Sequence, residues 1–419
     1  MSVESVHPVR PTTSRSTNRG SNLDDVRRRN LSIVLRLVHV RGRLSRADLV
    51  RETGLNRSTI AAIVADLERR CLVVESEPQG AKSIGRPSFL ITPSESTIAV
   101  AVNPELDAVT IGLVALGGNV LRSVRFENVR IPSAQEVVNV ISAVLAGMAP
   151  ELAGMHHTVG VGLAVPGLVR AGDGTVVVAP HLEWRDEPLA RMVAAVTGYP
   201  SWAANDASCG AVAESLFGVG RGHDDIVYLN GGASGIGGGV IVGGVPMGGA
   251  SGFAGEVGHT LVNSAGAPCH CGASGCLETE VTRAEMLGAV GLEDADVAQL
   301  DDRLAAAYAT DPAVRAVVAR HVEYLGIALR NIVNVFNPSL VVLGGFLGAL
   351  QRVAGDELAE IVRRTALSGP RAGVEIVSTS LGRDTLLVGA AELAFAGVLA
   401  DPTSVEPAAA GDELVPVEG

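Results

Sequence analysis

The chain has 419 residues, of which 47% are hydrophobic and 3% aromatic, and its formal net charge is −12. That length leaves room for two or three domains with a sizeable core, and so few aromatics exclude recognition of single strands or RNA by base stacking. Apolar runs such as 339–345 stop well short of the ~18 residues of a membrane span, and the arginine-rich start has no apolar signal core, so a cytoplasmic protein without membrane contact is expected.

Charge is unevenly placed. Residues 1–90 hold 16 Lys/Arg against 9 Asp/Glu, about +7, which leaves about −19 for the remainder. A basic module on an acidic body suggests nucleic-acid binding; a basic disordered tail would give the same sum. Residues 1–22, rich in Ser, Thr, Arg and Pro, are expected to be disordered.

From Asp24 a helical pattern places Val26, Leu31, Ile33, Val34, Leu35, Leu37 and Val38 mostly on one face, up to Gly42. Ser45-Arg46-Ala47-Asp48 is a capping box that opens a short second helix ending at Gly54. Asn56 is placed to cap a third helix whose buried face carries Ile60, Ile63, Val64 and Leu67. Helix, short helix, glycine turn and longer helix form the helix-turn-helix layout, although a small bundle with a polar face would share the pattern. Arg57, Ser58 and Thr59 lie in the first turn of the third helix, where side chains reach base edges and phosphates. Two short strands, near 72–75 and 89–92, flank a polar loop with Lys82 and Gly85-Arg86-Pro87 and predict a wing, with Arg86 as a minor-groove or phosphate contact. Arg46, Asn56, Arg57, Ser58, Thr59 and Arg86 are the expected DNA contacts. The module is expected over 23–95.

From Ile98 strands and helices alternate. Strands are expected at 98–102, 110–115, near 120–124 and at 159–164, with a helix over 133–149. A second round runs from Ile226 to Leu343, so an α/β body of two lobes with a cleft is expected over 96–399. The segment 400–419, acidic and rich in Pro and Ala, is expected to be a disordered tail.

Four places in the body carry chemistry. Asn205-Asp206 ends a predicted strand and opens a helix, where α/β folds bind ligands; such a pair is also an ordinary cap. The run from Asn230 to Gly239 allows exposed backbone N–H groups for phosphate, or simply a tight structural hairpin. Asn337-Pro338 leads through a buried strand to Gly344-Gly345 beside the cleft. The fourth is the most specific: Gly255-Glu256-Val257-Gly258-His259, then Cys269-His270-Cys271 and Cys276-Leu277-Glu278. His259, Cys269, Cys271 and Cys276 supply the four ligands of a closed structural Zn2+ site, with His270 as a competing ligand. Glu256 and Glu278 flank it and are placed to hydrogen-bond a polyol.

Together these motifs resemble the ROK family, a branch of the actin/hexokinase-like fold that contains sugar kinases and transcriptional regulators. The likeness spans about residues 24–399, and the amino-terminal winged helix-turn-helix is similar to that of the xylose and N-acetylglucosamine repressors. The resemblance implies that Asn205, Asp206, Glu256, His259 and Glu278 hydrogen-bond sugar hydroxyls, and that Asp206 matches the base of the family's kinases. It also suggests, less directly, that Pro180-His181-Leu182 lines the pocket. The kinases' Asp-x-Gly-x-Thr hairpin is replaced here by Asn103-Pro104-Glu105-Leu106-Asp107, which lacks a glycine and adds carboxylates. The resemblance therefore implies a repressor rather than an enzyme: a homodimer or tetramer on double-stranded operator DNA, responding to a sugar or sugar phosphate. The alternative is an ATP-dependent hexose or N-acylhexosamine kinase with an added DNA-binding domain.

Overall fold

The computed structural model describes residues 23–77, 89–293 and 298–408. The first part comprises α1 (Leu23–Arg41), β1 (Leu44–Ser45), α2 (Arg46–Thr53), α3 (Arg57–Arg69), β2 (Val73–Ser76) and β3 (Leu90–Pro93). The strands form an antiparallel sheet in the order β1-β3-β2. The local chemistry explains the breaks. Ser45 and Asp48 form a reciprocal capping box at the start of α2, and Gly54 ends it in the left-handed conformation at φ 70°. Asn56 caps α3 by accepting the Thr59 N–H, an interaction worth about 1 kcal/mol. Leu31, Val34, Leu35 and Val38 of α1 are buried as expected, whereas Val26 and Ile33 are exposed. Arg86 and the loop with Lys82 lie outside the described residues.

The first lobe contains β4 (Thr97–Pro104), β5 (Ala108–Ala115), β6 (Val120–Glu127), α4 (Ala134–Gly147), α5 (Ala149–Ala153) and β7 (His157–Val165). An excursion of β8 (Leu168–Val169), β9 (Val176–Ala179) and β10 (Trp184–Glu187) follows, then α6 (Leu189–Thr197) and β11 (Ser201–Asn205). The second lobe contains α7 (Asp206–Phe217), β12 (Ile226–Gly232), β13 (Gly235–Val242), β14 (Val245–Pro246), α8 (Leu277–Glu280) and α9 (Arg283–Ala289). It continues with α10 (Leu300–Thr310), α11 (Pro312–Phe336), β15 (Leu340–Gly345), α12 (Phe346–Thr365) and β16 (Glu375–Ser378). Finally α13 (Thr385–Ala400) returns to the first lobe.

The two large sheets run β11-β7-β4-β5-β6 and β14-β13-β12-β15-β16. In each, the first strand in sequence is central, its next two neighbours are antiparallel, and its last two are parallel. The repeated topology fits the two-lobed α/β fold that the resemblance implies, with ligand-facing strand ends at the junction of the lobes.

α13 joins the layers. It packs on β7 and α7 with main chain against main chain: a Cβ on Gly162 would lie 1.8 Å from the Ala390 carbonyl oxygen, and one on Gly389 would lie 2.0 Å from that of Cys209. Its opposite side meets α1. Consequently the core of the amino-terminal module is continuous with that of the body: Leu31, Leu35, Ile63 and Leu67 share one apolar cluster with Ala99, Ala101, Ala390 and Phe395. The boundary expected at 95/96 separates chain segments but not cores.

The expected tail is also corrected. Residues 400–408 are folded: Pro402–Ser404 forms a single turn, Val405 is buried, and the Ala408 N–H donates to the Arg69 carbonyl at 2.8 Å. Arg70 also donates to the Val405 carbonyl. Composition favours disorder here, but docking against α3 and α1 overrides it. Residues 409–419 lie outside the described residues.

Candidate functional site

β11 delivers Asn205 and Asp206 to the mouth of the cleft. Asn205 Oδ1 accepts the Ser208 N–H at 3.0 Å, so the residue is a helix cap. Its Nδ2 donates to the Gly167 carbonyl at 3.2 Å and to Asp206 Oδ1 at 3.1 Å. Asp206 is buried, and its Oδ2 accepts from Asn230 Nδ2 at 2.8 Å. Burial pushes its carboxyl above the usual range, against the pull of those hydrogen bonds. Capping and facing a cavity are therefore not alternatives here: one pair does both.

Glu256, His259 and Glu278 line the same cavity as Asn205 and Asp206, together with Glu105, His181 and the tip of the β12–β13 hairpin. Glu256 still has a side chain 39% exposed. Burial, with Asp206 and Glu278 adding repulsion, nevertheless pushes it up to about 7. All five residues singled out for sugar are thus brought together.

Behind them lies the His/Cys cluster. The ligand atoms of His259, Cys269, Cys271 and Cys276 lie within 4.8 Å of one another. Cys271 Sγ is 3.7 Å from Cys276 Sγ, and Cys269 Sγ is 3.6 Å from His259 Nδ1. A tetrahedron with Zn–S near 2.3 Å and Zn–N near 2.0–2.1 Å has edges of about 3.8 and 3.6 Å, so these separations fit a metal. His259 turns Nδ1 to the cluster, and its Nε2 is 3.9 Å from Glu256 Oε2. A second grouping of His259, Cys269, His270 and Glu278 also meets the distance limit. Glu278 Oε1 lies 3.1 Å from Cys269 Sγ, 3.3 Å from His259 Nδ1 and 3.2 Å from His270 Nδ1. The competing His270 is therefore close, and so is Glu278, which sequence reasoning set aside as a ligand.

Two further residues, Glu105 and Asn230, were not among the expected site residues, and His181, which the resemblance suggested less directly, joins them. Glu105, at the end of β4, is 8% exposed, and its Oε2 accepts from Ser234 Oγ at 2.9 Å. Burial and then Asp206 push it up to about 8. Asn230 orients Asp206. His181 has the one buried side-chain nitrogen or oxygen without a hydrogen-bond partner among the described residues, Nε2, and it lines the cavity. The signals in sequence were slight: Asn230 heads the glycine run, and Glu105 registers only as an acid that would repel phosphate.

On the other module, Asn56, Arg57 and Ser58 are exposed and Thr59 is half-buried at the start of α3. Asn56 Oδ1 is engaged by the Thr59 N–H at 2.8 Å and by Ser58 Oγ at 2.7 Å. Arg46 lies across the turn against Glu75 of β2, with Nε donating to Oε1 at 2.7 Å. Its charge is therefore partly matched within the chain.

The sequence pattern of the ROK family matches residues 101–396. The xylose repressor of Bacillus subtilis (strain 168) is 28% identical over 87% of this chain and 94% of its own. The glucokinase of Streptomyces coelicolor is 30% identical over 68% of this chain and 93% of its own. The crystal structure of a ROK family transcriptional regulator, a homologue of the E. coli MLC protein, superposes with a TM-score of 0.71 at 26% identity, over 90% of this chain and 97% of that one.

Proposed function

The chain belongs to the ROK family, and we propose that it is a transcriptional regulator whose hold on operator DNA is set by a sugar bound between its lobes. The observation that carries this reading is the amino-terminal module. Likeness to the regulator extends over 90% of the chain, and likeness to the glucokinase over 68%. The family pattern begins at residue 101, and the part before it holds the capped helix pair α2–α3 and the small antiparallel sheet. We take these as a winged helix-turn-helix, with α3 entering the major groove and Arg57 and Ser58 at its leading end. Two such modules in a homodimer or tetramer would meet half-sites about one DNA turn or a multiple apart.

In the cleft, Asn205, Asp206, Glu256, His259 and Glu278 form a ring of acceptors and donors suited to sugar hydroxyls. Zinc fits the cluster held by His259 Nδ1, Cys269, Cys271 and Cys276. Held by four protein ligands it would be structural, and His259, holding it through Nδ1, would present Nε2 to the cavity. A ligand seated on Asp206 touches the first residue of α7, α7 packs on α13, and α13 packs on α1. Different contacts in the liganded and free states would change operator affinity along that route.

The kinase alternative draws on Asp206, which is buried in the cavity where a base would stand. Against it, Pro104 lacks an N–H and Glu105 fills the neighbouring space. Fluorescence anisotropy with DNA from the region upstream of its own gene, at near-physiological salt, tests the regulator reading. Nanomolar binding well above a scrambled duplex, changed by one sugar of a panel, is expected. Sequence-blind binding together with ATP-dependent turnover of a sugar would replace it with the kinase reading.

A further inference from the structure

The tip of the β12–β13 hairpin is a glycine-flanked turn of the kind whose backbone N–H groups can seat an anion. Gly232 pairs with Gly235, and Ala233-Ser234 make the turn. In this chain the seat is taken. The Glu105 carboxyl reaches over from β4 in the other lobe, with Oε2 on Ser234 Oγ at 2.9 Å. Its Oε1 is close enough to the hairpin backbone that a Cβ on Gly232 would lie 2.9 Å away. Nor do the described residues offer a fixed cation to a competing anion: the lining contains four carboxyl side chains, Glu105, Asp206, Glu256 and Glu278, with three histidines but neither arginine nor lysine. Arg283, in the adjoining cavity, is drawn onto Asp107 Oδ2 at 3.3 Å, and Arg125 shares that carboxylate at 3.1 Å.

We propose that the Glu105 carboxyl occupies the hairpin seat, so that the cleft takes an uncharged sugar and rejects the phosphate ester of the same sugar. This rests on the sugar-binding reading above and narrows its ligand class. Three features support it. A buried carboxyl held by the opposite lobe is an expensive arrangement unless it fills a place that would otherwise be occupied. Its elevated pKa lets it rest there with its proton at neutral pH, donating or accepting without a counter-ion. An arriving phosphate would have to displace it and would then meet acids instead of fixed cations in a poorly solvated cavity, where an unneutralised charge is costly. The neutral hydroxyls of a sugar meet no such opposition, and Nε2 of His181 still lacks a partner that a hydroxyl would supply.

The experiment is isothermal titration of the full-length, zinc-loaded protein. Neutral aldopentoses, aldohexoses and N-acetylhexosamines are titrated, each followed by its phosphate ester. A neutral sugar is expected to bind, with its ester at least about tenfold weaker. In Glu105→Gly, which empties the seat, the ratio of the two affinities should narrow several-fold; if its circular dichroism melt shows that variant unfolded, Glu105→Ser takes its place. An ester that binds wild type as tightly as its parent sugar overturns the inference and leaves the sugar reading standing. So does a ratio that does not move in the folded variant. If neither class of ligand binds, the sugar reading itself falls and takes the inference with it.

Discussion

His39 of α1 and Glu392 of α13 meet at 3.0 Å, with side chains 1% and 9% exposed. The imidazole is oriented from both sides. Nδ1 accepts the Gly117 N–H at 2.9 Å, so the ring proton sits on Nε2 and is donated to the carboxylate. A buried hydrogen bond to a charged group contributes about 1.5–3 kcal/mol. Glu392→Ala should therefore lower the denaturation free energy by about 2 kcal/mol. Because the pair joins the amino-terminal module to the helix that packs on α7, the same variant should also blunt the change in operator affinity on adding sugar. Urea melts and anisotropy titrations with and without sugar check the two outcomes separately.

Among the described residues Arg46 has an ion-pair partner and Arg57 has none. Arg57 is exposed at the first turn of α3, and Arg46 is bound to Glu75. Arg57→Ala should weaken operator binding at every sequence and reduce the salt slope by about 1. Arg46→Ala should change the slope less, since Glu75 already offsets its charge. Log–log plots of affinity against salt for the two variants decide this, and equal slope changes would show that DNA displaces Glu75.

Metal content is tied to ligand binding through one ring. Mass spectrometry of the purified protein should find one zinc per chain, and Cys276→Ser should lose it. His259 then loses the metal that would hold its Nδ1, and sugar affinity should fall by roughly 10–100-fold, the usual cost of disturbing a group that orients a metal site. Restoring zinc to chelated wild type should recover binding, whereas the variant should stay weak.

Glu105 makes stability depend on pH in a stated direction. Its carboxyl is raised from 4.5 to about 8 by burial and by Asp206, with Asp107 adding to the rise and Ser234 and Arg283 opposing it. A group raised on folding binds more protons in the native state. Its contribution is complete below about 4.5 and is lost as pH climbs through about 8. The urea midpoint should therefore decline from pH 5 to pH 9, and Glu105→Gln should flatten the decline. Asp206, shifted the same way, leaves a residual slope.

What was legible in the sequence was local. The caps at Ser45 and Asn56, the strand-to-helix change at Asn205-Asp206 and the Cys spacing each depend on a few neighbouring residues, and each is found where expected. Contacts across the fold were not legible. Glu105 reaches Ser234 across 129 positions, and His39 reaches Glu392 across 353. Nothing in the run Asn103–Asp107 shows that one of its acids will be buried and the other paired with arginines. Arg46 reads as a DNA contact until β2 folds back and brings Glu75 beside it. The segment 400–408 has the composition of a loose tail, and only the presence of α1 and α3 gives it something to pack on.

The position of α13 also orders events during synthesis. α1, α2 and α3 leave the ribosome early, but the apolar face they share is completed only when residues 385–405 emerge and cover it. Domains that fold as they are made normally finish from the amino terminus onward; here part of the first module's apolar surface stays uncovered until the last helix emerges. A chain cut short inside the second lobe would thus leave bare the side of α1 that α13 covers, an apolar surface open to aggregation and degradation.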